Sequence, residues 1–161
     1  MQPELSRDVE ICRYTRPDRR AEVAAIDIMN TAFDPAYGEA WTAAQLTGFM
    51  SLPNVMLVLA MLDRAHLGFT LTRFVADEAE LLLIATHPSW QKRGVGQLLL
   101  KDFIAHARKS RIGTLHLEVR DNNPAIDFYS RSGFEPVHRR PAYYRGRDGR
   151  FYDALSFQMI L

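Results

Sequence analysis

Of 161 residues only one is cysteine, Cys12. No internal disulfide can form, and no Cys/His partner pattern surrounds it, so it reads as a small packed residue and not a nucleophile. A reducing, cytoplasmic setting is the expectation. No apolar run approaches the roughly 20 residues of a membrane-spanning helix, and the polar, charged first twenty residues hold no stretch of signal-peptide length. Neither sign of charge dominates: 20 Lys+Arg stand against 19 Asp+Glu, a net charge of +1. With no long Lys/Arg block, neither nucleic acid nor membrane is an expected partner. His, Cys, Asp and Glu nowhere cluster at metal-ligand spacing, so no metal is expected. Repeats and low-complexity segments are missing too. What is present, 47% hydrophobic and 24% charged residues, suits one globular domain over 1–161 with its core from about 9, as a monomer or weak dimer.

Periodicity predicts a β-α-α-β-β-β-α-β-α-β-β order, a mixed α/β layer structure. A strand at 9–14 precedes a helix capped by Asp18, with Val23, Ile26, Ile28, Met29 and Phe33 as its apolar positions. Thr42 can cap a shorter helix through Met50, with Trp41 packed on its first turn. Strands at 55–62 and 66–75 join through Asp63-Arg64. The almost continuously apolar 81–85 reads as a central strand covered on both faces. Val95, Leu98, Leu99, Phe103 and Ala107 mark a helix that Gly113 would stop. Thr114 to Arg120 alternates, with Leu115, Leu117 and Val119 on one face and Thr114, His116, Glu118 and Arg120 on the other. A helix over 124–131 and closing strands at 134–139 and 151–160 follow.

The informative segment is Gln91-Lys92-Arg93-Gly94-Val95-Gly96, between the buried strand and the long helix. Free N–H groups at a helix start, with the positive end of its dipole, form an anion site. Gly94 and Gly96 let the backbone approach a diphosphate, and Lys92 and Arg93 add positive charge. The turn lacks both the Gly-Lys-Ser/Thr of a Walker loop and the three-glycine dinucleotide pattern. By itself it reads first as a bland packing turn.

Flanking residues make it specific. Ile84-Ala85-Thr86-His87-Pro88-Ser89-Trp90 leading into Gln91–Gly96 resembles the acyl-CoA motif of the GNAT N-acetyltransferases, Gln/Arg-x-x-Gly-x-Gly/Ala after a strand. Asn122-Asn123-Pro124-Ala125-Ile126-Asp127-Phe128-Tyr129-Ser130-Arg131-Ser132-Gly133-Phe134 is similar to the same family's second hallmark. The resemblance runs over about 9–161 and is densest from 78 to 144. Glu78-Ala79-Glu80-Leu81, Leu117-Glu118-Val119-Arg120, Ala40-Trp41-Thr42 and the tail from Tyr143-Tyr144 to Asp153-Ala154-Leu155 look most like the RimI type, the ribosomal-protein-alanine N-acetyltransferases. Two departures stand out: Thr86 replaces a commoner valine, and the loop between Arg120 and Asn122 is one residue short.

The resemblance implies a GNAT fold, with a mixed, mostly antiparallel sheet flanked by helices, and acetyl-CoA as cosubstrate. Ile84, Ala85 and Thr86 would hold its pantetheine arm, Gln91 to Gly96 its diphosphate, and Asn122 its chain while capping the following helix. The implied acceptor is a peptide or protein N-terminus, in the RimI type the alanine of a small-subunit ribosomal protein.

Acetyl transfer needs an oriented thioester, an amine that loses a proton and a thiolate that gains one. Glu118 is the base candidate, on a polar strand face; it could equally be a solvated residue or a partner of Arg120 or His116. Tyr129 is the acid candidate, a phenol of pKa about 10 facing a thiol near 8.5; it could equally be a packed aromatic beside Phe128 and Phe134. Trp41, Tyr37, Tyr143 and Tyr144 could wall an acceptor groove, or be ordinary aromatics. Because the residues after the RimI-type acceptor's alanine are basic, Glu39, Asp77, Glu78 and Glu80 are candidate acids at that groove. A family relative acting on a small amine and a non-catalytic acyl-CoA-binding module are the competing readings; retention of Glu118 and Tyr129 speaks against the module.

Overall fold

The structure, a computed structural model, describes Leu5 and residues 8–161. Its elements are β1 (Glu10–Tyr14), α1 (Arg19–Ala32), α2 (Ala43–Met50), β2 (Val55–Leu62), β3 (Ala65–Val75), β4 (Glu78–Thr86), α3 (Val95–Lys109), β5 (Thr114–Arg120), α4 (Ile126–Arg131), β6 (Glu135–Arg145) and β7 (Phe151–Ile160). The expected element order and the mixed sheet between helices are both present. Among the described residues no helix is long and apolar enough to cross a membrane.

The strands form one sheet in the order β1-β2-β3-β4-β5-β7-β6. All neighbours are antiparallel except β4 and β5, whose parallel pairing requires the crossover that α3 supplies. That pairing stops after Leu81↔Leu117. Just there β4 carries an extra residue, Leu82, between Leu81↔Thr72 and Leu83↔Leu71. The bulge bends β4, so beyond it β4 stays with β3 while β5 stays with β7. The sheet thus opens into a cleft between the carboxyl ends of two neighbouring strands.

Helices α1 and α2 cover one face, packing on Leu57, Leu59, Phe69, Leu71, Leu83 and Ala85. On the other, α3 and α4 pack on β2, β4, β5 and β7. β4 is covered on both faces, as its apolar run implied.

Local signals explain several boundaries. Asp18 accepts from Ala21 N at 2.9 Å to start α1, and Thr42 forms a full capping box with Gln45. Each such cap is worth about 1 kcal/mol. Other expectations are corrected. Val23 is exposed; the buried stripe of α1 is Ala21, Ala24, Ala25, Ile28 and Met29, because small residues let the helix lie close to the sheet. Trp41 packs against the core cluster that holds Leu46, and its ring also reaches past the first turn of α2 to Phe49, 4.7 Å away and tilted by 55°. Gly113 does not stop α3. Arg111 takes the left-handed conformation, φ 60°, and Ile112 N donates back to Ala107 O at 3.0 Å, while Gly113 N donates to Asp77 O. β6 runs on to Arg145, absorbing Pro136 and Pro141 at two register shifts, which an edge strand tolerates.

Candidate active site

A cavity of about 980 Å³ fills the cleft and continues over the start of α3. One end is the glycine turn. Gly94 caps α3 in the left-handed conformation, φ 89°, and among the described residues no side chain caps the helix, so the free amides of its first turn lie on residues that line the cavity. Gln91, Lys92, Gly94, Val95 and Gly96 line this end, and Ile84, Ala85 and Thr86 line the adjoining strand. Gln91 Nε2 donates to Thr86 O at 3.4 Å, tying turn to strand. A Cβ on Gly96 would meet Thr86 Oγ1 at 3.7 Å and Phe128 Cζ at 3.8 Å, ordinary contacts within the protein. Gly68 answers to packing instead: a Cβ there would sit 2.7 Å from Ala85 O and 3.1 Å from Leu99 Cδ1, so its absence lets α3 seat against β3 and β4.

Two expected ligands of this end are placed differently. Arg93 does not line the cavity; its guanidinium lies over the Trp90 ring at 5.2 Å, held by cation–π attraction. Asn122 lines the cavity but caps no helix. Asn123 Oδ1 accepts from Ala125 N at 2.8 Å, and Asn122 Oδ1 accepts from Arg120 Nη1.

At mid-cavity the β5 and α4 residues converge. Glu118 and Tyr129 both line it. Glu118 Oε2 accepts from Ser156 Oγ at 3.1 Å and lies 3.5 Å from Arg140 Nη2. Its suggested structural partners are engaged elsewhere: His116 lies 3.5 Å from Glu78, and Arg120 pairs with Glu39 at 3.0 Å. Tyr129 is 5% exposed, its ring 5.3 Å from Phe128 and 6.2 Å from Phe134. Packing and cavity lining therefore coexist at Tyr129. Burial raises its pKa above the ordinary phenol range, so the hydroxyl keeps its proton and can serve as a donor.

The far end is walled by Tyr37, Glu39, Trp41, Arg120 and Tyr144. The Tyr144 phenol is pushed up to about 12, first by burial and then by the charges of Glu118 and Glu39. Tyr143 turns outward, half exposed, with its ring edge-on to Tyr144 at 5.1 Å. Of the four candidate acids only Glu39 reaches the cavity. Asp77, Glu78 and Glu80 sit at the opposite end of β4, where Glu80 pairs with Arg73 at 2.8 Å. Arg120 is the residue that pattern reading missed. It is 5% exposed, and its guanidinium lies 3.4 Å from the centre of the Tyr37 ring. Alternation gave it a polar face, and nothing local announced its burial. Beside it the loop before α2 is stapled to the β6–β7 turn, with Arg147 N donating to Ala36 O at 2.8 Å and Tyr37 meeting Tyr152 edge-on at 5.4 Å.

Comparison with known proteins decides the family. The model of the Acetyltransferase (GNAT) family matches residues 23–134. The chain belongs to the GNAT acetyltransferase family. The [Ribosomal protein bS18]-alanine N-acetyltransferase of Escherichia coli K12 is 42% identical over 84 residues, which cover 52% of this chain and 57% of that protein. The protein of the same name from Salmonella typhimurium is 35% identical over 128 residues, 77% of this chain and 86% of the relative. A crystal structure of the E. coli ribosomal-protein-S18-alanine N-acetyltransferase superposes with a TM-score of 0.82 at 28% identity, covering 94% of each chain. GNAT acetyltransferases use acetyl-CoA. The chain is thus a RimI-like member, with the sheet and flanking helices of its structural neighbours.

Proposed function

We propose that the protein transfers the acetyl group of acetyl-CoA to the α-amine of a protein N-terminus, the alanine of a small-subunit ribosomal protein being the acceptor its relatives' names indicate. The observation that carries this reading is one continuous cavity lined by the glycine turn, Glu118 and Tyr129.

The cavity's donor set fits the cosubstrate. The amides at the start of α3, with Lys92, would take the diphosphate; the strand end Ile84 to Thr86 and Asn122 would take the pantetheine arm. Bound acetyl-CoA supplies a thioester carbonyl open to attack by the amine. Glu118 accepts the proton that the attacking nitrogen sheds, directly or through water, as the N–C bond forms. Tyr129 meets the sulfur as the C–S bond breaks. Because burial makes loss of its own proton costly, Tyr129 acts mainly as a hydrogen-bond donor to the developing thiolate. Trp41 and Tyr144 wall the acceptor side.

Two measurements bear on this reading. Gly96→Ala should leave thermal stability equal or higher, since alanine suits a helix better. It should also weaken acetyl-CoA binding about ten-fold, because the added methyl enters the cavity; calorimetric titration with unchanged affinity would remove Gly96 from the site. The reaction is tested by free-CoA release with an Ala-Arg-starting peptide and a panel of amino acids, polyamines and aminoglycosides. Release with the peptide supports the proposal. Release with small amines alone sinks it.

A further inference from the structure

We infer that Arg140 gates Glu118, disfavouring the acceptor's ammonium form and admitting its neutral amine. The inference rests on the N-terminal-amine reading and assigns a residue that neither motif contains.

Strand register carries the argument. Ser156 is paired with Glu118 on one side and His138 on the other, and Ala154 with Arg120 and Arg140. Two rows two residues apart, Glu118–Ser156–His138 and Arg120–Ala154–Arg140, therefore share one face of the sheet. The two arginines of the second row differ. Arg120 is buried and committed to Glu39 and Asn122. Arg140 is half exposed, its Nη2 3.5 Å from Glu118 Oε2. Between them Ala154 presents only a methyl, which leaves room for the guanidinium to lean toward Glu118.

The placement is built into β6. After Arg140 the strand shifts register at Pro141 and Ala142, where Ala142 takes φ 49°. Asp153 clamps this bulge, accepting from Ala142 N at 2.9 Å and from Arg139 Nη1 at 2.7 Å. The clamp occupies Arg139, while Arg140, which does not line the cavity, lies 3.5 Å from Glu118 with its guanidinium 5.1 Å from the centre of the Tyr143 ring, and Tyr144 reaches the cavity.

The charged and titratable groups on the sheet face of Glu118 are Arg140 and His138 from β6 and His116 and Arg120 from its own strand, while Tyr129 from α4, Tyr144 from β6, and Tyr37 and Glu39 from the loop before α2 line the same cavity. Among the described residues only Arg140 forms an ion pair with Glu118. An incoming ammonium must share the carboxylate with a guanidinium and is repelled at short range; a neutral amine, the form that attacks, is not.

The test compares wild type, Arg140→Gln and Arg140→Lys with an Ala-starting peptide at about pH 6.5 and pH 9.5, either side of an α-amine pKa near 8. Arg140→Gln should lower the acceptor KM about five-fold at the lower pH and leave it within about two-fold at the higher, with the acetyl-CoA KM unchanged. Arg140→Lys should behave as wild type. A KM that rises, stays unchanged at both pH values, or changes equally at both overturns the gate while leaving the reaction intact. Absence of wild-type turnover with any peptide overturns the reaction and the gate together.

Discussion

Tyr129→Phe is expected to lower kcat by about 10²-fold while leaving acetyl-CoA affinity within about two-fold. Phenylalanine keeps the ring contacts with Phe128 and Phe134, so only the hydroxyl is lost and the fold should persist. Steady-state kinetics together with equilibrium titration separate the two effects. An unchanged kcat would take Tyr129 out of the reaction and leave it a packed aromatic. The raised phenol pKa adds a further expectation. Ionisation of Tyr129 should produce no alkaline fall in wild-type kcat below about pH 10.

Glu118→Gln should be the other severe change, lowering kcat/KM by about 10²-fold near neutral pH. Glutamine keeps the shape and can still accept from Ser156 Oγ, but it cannot take a proton. The loss should shrink as pH rises, because solvent base increasingly takes the proton that the nitrogen sheds. A loss equal at all pH values would make Glu118 a positioning group. The exposed Arg140 that it leaves without its partner remains hydrated, so stability should change little.

What the sequence revealed and what it hid follow from how far each interaction reaches along the chain. Caps act within a turn, so Asp18 and Thr42 could be read directly. Alternation in β5 places Glu118 on its face without knowledge of the neighbours. The glycine turn and the Asn122–Phe134 segment are contiguous, and both lie on the one cavity. Long-range contacts were not legible. Arg120 is buried because Glu39, 81 residues away, pairs with it, and no local pattern distinguishes such an arginine from a solvated one. Whether Tyr143 or Tyr144 faces inward depends on a bulge at Pro141 and Ala142, and one residue of slip exchanges the faces. Arg93 and Lys92 look alike in the motif, yet the Trp90 ring draws one of them away from the cavity. The acids Asp77, Glu78 and Glu80 fail for a simpler reason: they begin the strand whose other end forms the site.

The Arg120–Glu39 pair, the Tyr37–Tyr152 contact and the Arg147–Ala36 hydrogen bond fix the loop before α2, which lines the cavity and on which the proposed acceptor side rests. The central claim is therefore best tested by locating the acetyl group on product. An Ala-Arg-starting peptide with an internal lysine would be incubated with acetyl-CoA and the enzyme, then sequenced by tandem mass spectrometry. Acetyl on the α-nitrogen alone is the predicted result; acetyl on the lysine, or bound CoA with no acetylated peptide, would contradict it.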